Sequence, residues 1–248
     1  MDRKKVDKII NWSVKILFSL LFLLMVASVM NVELTKKPPE EIKAILDQQQ
    51  KDMVKAAQGL PLNKNLPDPW PPKMNKRYPE IELIDQDGKE FKLSSLKGKV
   101  IVLSFVDMSS PVSQAQSGSV LSGAYGFTQE IDKTYDTFDD ALRKADGVDF
   151  RLPHEDVVEV NVIVYTQDGG QASVDDAKSW ANHFDLSTEH GEIVAVPKKD
   201  IRDEESDKII NGFQLIDKNH MLRVDSSGPN PKHNLRMTLA PLLPKLLR

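Results

Sequence analysis

The sequence predicts an α/β sandwich, a mixed central sheet flanked by helices, set behind an N-terminal transmembrane helix and a Pro-rich stalk. Three observations lead there. Val100 to Val106 ("VIVLSFV") is an unbroken apolar run rich in β-branched residues, which suits a central strand covered on both faces. From residue 78 onward, strand-like and helix-like segments alternate, as they do when helices cover a sheet. Ahead of them, Ile9 to Val32 is a largely apolar stretch interrupted by one charge, Lys15.

The N-terminal third reads in order as follows. Residues 1–8 form a basic tail. Residues 9–32 form the anchor, its uninterrupted part running from Ile16 to Val32. Lys15 reaches the headgroups along its stem, and Trp12 suits the interface. The positive flank places the N-terminus in the cytoplasm and the rest in the periplasm, beyond the inner membrane. A cleaved signal peptide is the competing reading, but "VASVM" offers no clean A-x-A site. Residues 33–77 are a stalk. Pro38 to Gln58 has helix grammar, with Glu40 and Glu41 in the first turn, Gly59 as a stop, and a stripe of Ile42, Ile45, Leu46, Met53, Val54 and Ala57. The 21 residues from Gly59 to Pro79 hold six prolines, which forbid a helix and favour extended chain. Trp70, among those prolines, is expected to pin the linker to the following domain.

That domain spans residues 78–248. Ile81 to Ile84 and Phe91 to Leu93 are short strands about a turn at Asp87-Gly88. Further strands are expected at Val100 to Val106, Val157 to Tyr165, Phe213 to Ile216 and Met221 to Val224, the last two joined by a hairpin at Asp217 to His220. Helices fit at Ser113 to Leu121, Thr128 to Lys144, Val174 to His183 and His233 to Leu247. In the second of these, Ile131, Tyr135, Phe138, Ala141 and Leu142 share one broad apolar face.

Composition removes several functions. The net charge of −4 combines +3 over residues 1–32 with −7 over the remainder, and an acidic body suits no phosphate backbone, so nucleic acid is not a partner. With no cysteine there is no disulfide, no thiolate metal site and no thiol catalysis. The histidines, His154, His183, His190, His220 and His233, form neither H-x-x-x-H nor H-E-x-x-H, so no metal or cofactor is expected. "YTQDGG" (Tyr165 to Gly170) lacks the glycine spacing of a dinucleotide site.

"ELIDQDGKEFKLSSLKGKVIVLSFV", the turn and helix after it, and "GFQLIDKNHMLRVDS" together resemble the redoxin branch of the thioredoxin-like superfamily. That branch includes peroxiredoxins, membrane-anchored thiol-disulfide oxidoreductases and Sco-type copper chaperones. The resemblance covers Tyr78 to Leu247 and implies a thioredoxin-like sandwich. By the same resemblance, Ser110-Pro111-Val112-Ser113 stands where the family carries Cys-x-x-Cys, and Asn211 stands near the family's cis-proline. A serine keeps the shape of such a site and loses its redox couple, since an alkoxide is far less accessible than a thiolate near neutral pH. A serine nucleophile would need a neighbouring base. The Ile210–Asn211 peptide, lacking proline, is expected to be trans.

Two functions follow. One is a redox-inactive domain tethered to the membrane through residues 9–32, an accessory subunit or assembly factor of an integral membrane protein complex, with Ser110, Ser113 and Asn211 as vestigial positions and no catalytic residue. The other is a periplasmic thiol-disulfide oxidoreductase whose Cys-Pro-Val-Cys site has been mutated to serine, supported by the intact Pro111-Val112 pair.

Overall fold

The computed structural model describes residues 66–67, 69–127, 131 and 133–247. All belong to one compact unit, Asn63–Arg248. The expected anchor at residues 9–32 and the expected helix at Pro38 to Gln58 lie outside the described residues. Among the described residues, no helix is long and apolar enough to cross a membrane.

Strands β1 (Glu82–Asp85) and β2 (Glu90–Lys92) form the first hairpin. Its turn is closed by the Asp85 carboxylate, which accepts the backbone N–H groups of Asp87 and Lys89 at 3.0 and 2.8 Å. Strand β3 (Val100–Asp107) lies in the interior of the sheet and is followed in the chain by helices α1 (Pro111–Ser117), α2 (Ser119–Ser122) and α3 (Phe138–Lys144). Next come β4 (Val157–Tyr165), α4 (Val174–Phe184), β5 (Glu192–Pro197) and α5 (Glu204–Asp207). The chain closes with β6 (Gly212–Ile216), β7 (Leu222–Ser227) and α6 (Ala240–Leu246).

The seven strands form one mixed sheet in the order β2-β1-β5-β4-β3-β6-β7. β3, β4 and β5 run parallel, and antiparallel pairing joins β6 to β3 and β7 to β6. A strand, a helix from its end, a parallel strand, an antiparallel hairpin and a closing helix make a thioredoxin-like sandwich.

β3 is buried along almost its whole length because the pleat sends alternate residues into two cores. Ile101, Leu103 and Phe105 pack with Val158, Val160, Tyr78, Ile81 and Leu93. Val100 and Val102 meet Phe138, Leu142, Leu239 and Leu243 from α3 and the C-terminal helical segment. Trp70 joins the first core edge-on to Phe105 at 5.7 Å and donates its indole N–H to Ser206 Oγ at 3.1 Å. It pins the Pro-rich segment as expected.

Three expectations change. β5 was not anticipated, yet it pairs with both β4 and β1. The expected helix Thr128 to Lys144 shortens to α3, because Thr137 takes extended backbone and caps the helix by accepting the Asp140 N–H at 3.1 Å. Tyr135 therefore leaves the proposed apolar face and is exposed. The motif helix breaks at Gly118, whose φ of 113° starts a separate turn, α2.

Candidate functional site

At the C-terminal end of β3 the chain turns tightly. The Asp107 carboxylate accepts the Ser109 backbone N–H at 2.9 Å and its hydroxyl at 2.7 Å. Ser110 follows with extended backbone as the cap of α1, its Oγ accepting the Ser113 N–H at 3.4 Å. Pro111 is the first helical residue, where its missing N–H costs nothing. Ser113, one turn in, is buried; its Oγ accepts the Asp107 N–H at 3.1 Å.

Both hydroxyls converge on one atom. Ser113 Oγ donates to Asn211 Oδ1 at 2.6 Å and Ser110 Oγ donates to the same oxygen at 3.1 Å. Asn211 is delivered by the neighbouring chain segment, immediately before β6, which pairs with β3. Its N–H donates to Phe105 O at 3.0 Å and its carbonyl accepts the Gly228 N–H at 2.7 Å. Its φ is +67°, in the left-handed region that asparagine tolerates better than most residues. The Ile210–Asn211 peptide is trans; the cis bonds of the described residues, Trp70–Pro71 and Leu152–Pro153, lie elsewhere. A proline at 211 would need φ near −65°, so this backbone excludes it.

Chemically the cluster is closed. A carboxamide oxygen accepts a hydrogen bond without taking the proton, so it cannot generate an alkoxide. Neither hydroxyl is hydrogen-bonded to a histidine or carboxylate among the described residues.

Beside the cluster lies a cleft of about 470 Å³ lined by Asp107, Tyr165, Gly169, Asp207, Ile210, Asn211 and Pro229. On its wall the Tyr165 hydroxyl donates to Asp207 Oδ1 at 2.7 Å. Burial, followed by that bond to the carboxylate, pushes the phenol above its usual range. Tyr165 therefore stays a neutral donor.

Three glutamines brace the site. Gln116 Oε1 accepts the Gly212 N–H at 2.7 Å, tying α1 to the Asn211 loop. Gln114, fully buried, donates to Met108 O at 2.9 Å and accepts the Tyr125 N–H at 2.8 Å. Gln167 donates to Tyr125 O at 2.7 Å and accepts the Phe127 N–H at 2.7 Å. In the sequence Gln114 and Gln116 stand in "SQAQS" and Gln167 in "YTQDGG", and neither stretch announces these partners.

A second polar cluster sits at the opposite end of the parallel strands. Glu159 of β4 and Glu192 of β5 are in register and border a cavity of about 230 Å³ with Asp139, His154 and His190. Burial, then the neighbouring charges of Glu192 and Asp139, raises Glu159 to about 8. Burial likewise raises Glu192. Among the described residues no three His, Asp or Glu side chains are arranged to hold a metal ion. Three histidines have hydrogen-bond partners: His154 Nδ1 accepts the Asp156 N–H at 3.1 Å, His183 Nε2 lies 3.1 Å from Gly123 O, and His233 Nδ1 lies 3.1 Å from Asp225 O. His220 is different, being buried with neither ring nitrogen hydrogen-bonded.

No family model and no curated protein matches this chain. Solved structures do. A family lipoprotein of the SCO1/SenC type from Bacillus anthracis str. Ames is 18% identical with a TM-score of 0.43, covering 74% of this chain and 99% of that one. The thioredoxin domain of a thiol-disulfide oxidoreductase from Bacteroides vulgatus is 14% identical with a TM-score of 0.41, covering 69% and 98%. A peroxiredoxin-like protein from Aquifex aeolicus is 16% identical with a TM-score of 0.42, covering 70% and 87%. At these identities and TM-scores no activity carries over to this chain.

Proposed function

We propose that the chain is a redox-inactive thioredoxin-like protein, held at the inner membrane by residues 9–32, whose domain serves as an accessory or assembly subunit of a membrane protein complex. One observation carries this reading: Ser110, Ser113 and Asn211 form a closed hydrogen-bonded set on a backbone that excludes proline at 211. The changes relative to the redoxin pattern are mutually adapted. Two hydroxyl donors meet one amide acceptor, and that acceptor stands on a left-handed backbone. This favours long-standing loss of redox chemistry over the rival reading of an oxidoreductase with two cysteines changed to serine, which leaves the opposing loop untouched. Supporting the interaction role, the cleft beside the set has a volume of about 470 Å³ and Asp107 and Asp207 are among the residues that line it.

The test has two arms on the full chain in detergent. Disulfide reductase and peroxidase assays should give no turnover above buffer. A photo-reactive residue at Ser109, beside the set, should cross-link to a membrane protein of the native host, while one at Lys178 on α4 should not. Turnover in the first arm, or equal cross-linking from both positions, would overturn the proposal.

A further inference from the structure

His220 closes the β6–β7 hairpin in an unfavourable way. Its backbone is left-handed, with φ +67°, where glycine would sit without strain. The imidazole is 1% exposed, and neither Nδ1 nor Nε2 has a hydrogen-bond partner. A buried polar ring without partners is costly, and a histidine in this setting is tolerable only while neutral.

The ring stands against the strap that leads into the domain. Tyr78 meets it edge-on, with ring centroids 6.1 Å apart. The Tyr78 N–H donates to His220 O at 2.8 Å, the Asn75 N–H to Leu222 O at 2.8 Å, and the Leu222 N–H to Lys76 O at 3.0 Å. Arg77 and Met221 face each other as an antiparallel bridge. Residues 75–78 are thus tied to the hairpin by three backbone hydrogen bonds and one isolated antiparallel bridge. Farther in, the Tyr78 hydroxyl donates to Gln214 at 2.5 Å.

The charged groups around the ring do not stabilise a cation decisively. Burial is the largest influence and opposes a cation, Glu80 and Asp217 favour one, Arg77 and Lys97 oppose it, and the balance holds the imidazole below its ordinary value of 6.5. Both carboxylates are already engaged. Glu80 accepts from Ser94, and Asp217 accepts from the backbone N–H groups of Asn219 and Met221 and from Arg223 Nε.

We propose that His220 is an acid-operated latch on this strap. A proton taken from solvent makes the imidazole a cation with no acceptor in its pocket. The ring then leaves, Tyr78 loses its packing partner, and residues 75–78 peel from the hairpin while the sheet stays folded. The sign follows from linkage. A group whose folded value is depressed supports the closed state fully above 6.5, and that support is lost as the pH falls below it.

The experiment is hydrogen exchange by mass spectrometry on the full chain in detergent between pH 7.5 and 5.0, corrected for intrinsic exchange. The opening equilibrium of peptides covering residues 75–78 should rise up to about tenfold per pH unit below 6.5, with β4 unchanged. His220→Asn keeps a residue suited to left-handed backbone and removes the titration, so it should abolish the response. An unaltered response in that variant, no response in the parent, or parallel opening of β4 would each overturn the proposal. Should the variant fail to fold, the parent's imidazole titration by NMR still decides: a value for His220 at or above 6.5 would overturn the latch.

Discussion

Replacing Asn211 with proline asks for a φ of the wrong sign and removes the N–H that bonds to Phe105 O. The expected cost is about 3 kcal/mol or more, read as a fall in the denaturation midpoint. Asn211→Gly keeps the backbone and deletes the acceptor for both serine hydroxyls, so it should cost about 1–2 kcal/mol. Asn211→Ala should be worse than glycine by about 1 kcal/mol, because alanine pays for the left-handed backbone. A ranking with alanine above glycine would mean that backbone strain is not what the site tolerates asparagine for. Glu159 gives the residue scale a pH test. Folded, it holds its proton up to about 8, whereas unfolded it releases it near 4.5. Folding therefore takes up a proton between those values, and stability falls as the pH rises through them. Glu159→Gln should match the parent near pH 4.5 and exceed it at pH 8 by about 1–2 kcal/mol, the shift being discounted for partial exposure. Thermal melts at the two pH values check this.

At the scale of elements, Thr137 decides where α3 begins. Thr137→Ala removes the acceptor for the Asp140 N–H and should cost about 1 kcal/mol, seen as a lower melting temperature with the fold retained. The same residue explains why the sequence misled there. Apolar positions from Ile131 to Leu142 keep helical spacing, but a threonine followed by Asp139 and Asp140 is a start signal inside that run. β5 was overlooked for a related reason: "EIVAVP" is short and ends in proline, which reads as a loop until β1 and β4 are found on either side of it. β3, β4 and the hairpin before β7 were legible because period and turn chemistry are local. The serines were legible too, as members of a motif after a strand. Gln114, Gln116 and Gln167 were not, since their partners lie 6 to 96 residues away and no local pattern announces them.

For the whole molecule, the sheet has two borders of different character. One is β2, three residues long, which offers little to pair with. The other is β7, whose first residue, Leu222, exchanges hydrogen bonds on its outer side with Asn75 and Lys76, while Tyr78 holds the preceding His220. Strands at a sheet border with free N–H and C=O groups are templates for other chains, and here a segment from the stalk fills that role. The strap is therefore also a guard against self-association. A chain beginning at Pro79 should form concentration-dependent oligomers by light scattering while a chain beginning at Asn63 stays monodisperse, and equal behaviour of the two would show that the border needs no cover. By this logic, proteolysis in the Pro-rich stalk would do more than release a domain. If the cut removed residues 75–78 it would leave a particle with an adhesive rim, so the integrity of those four residues governs whether the domain remains a solitary body.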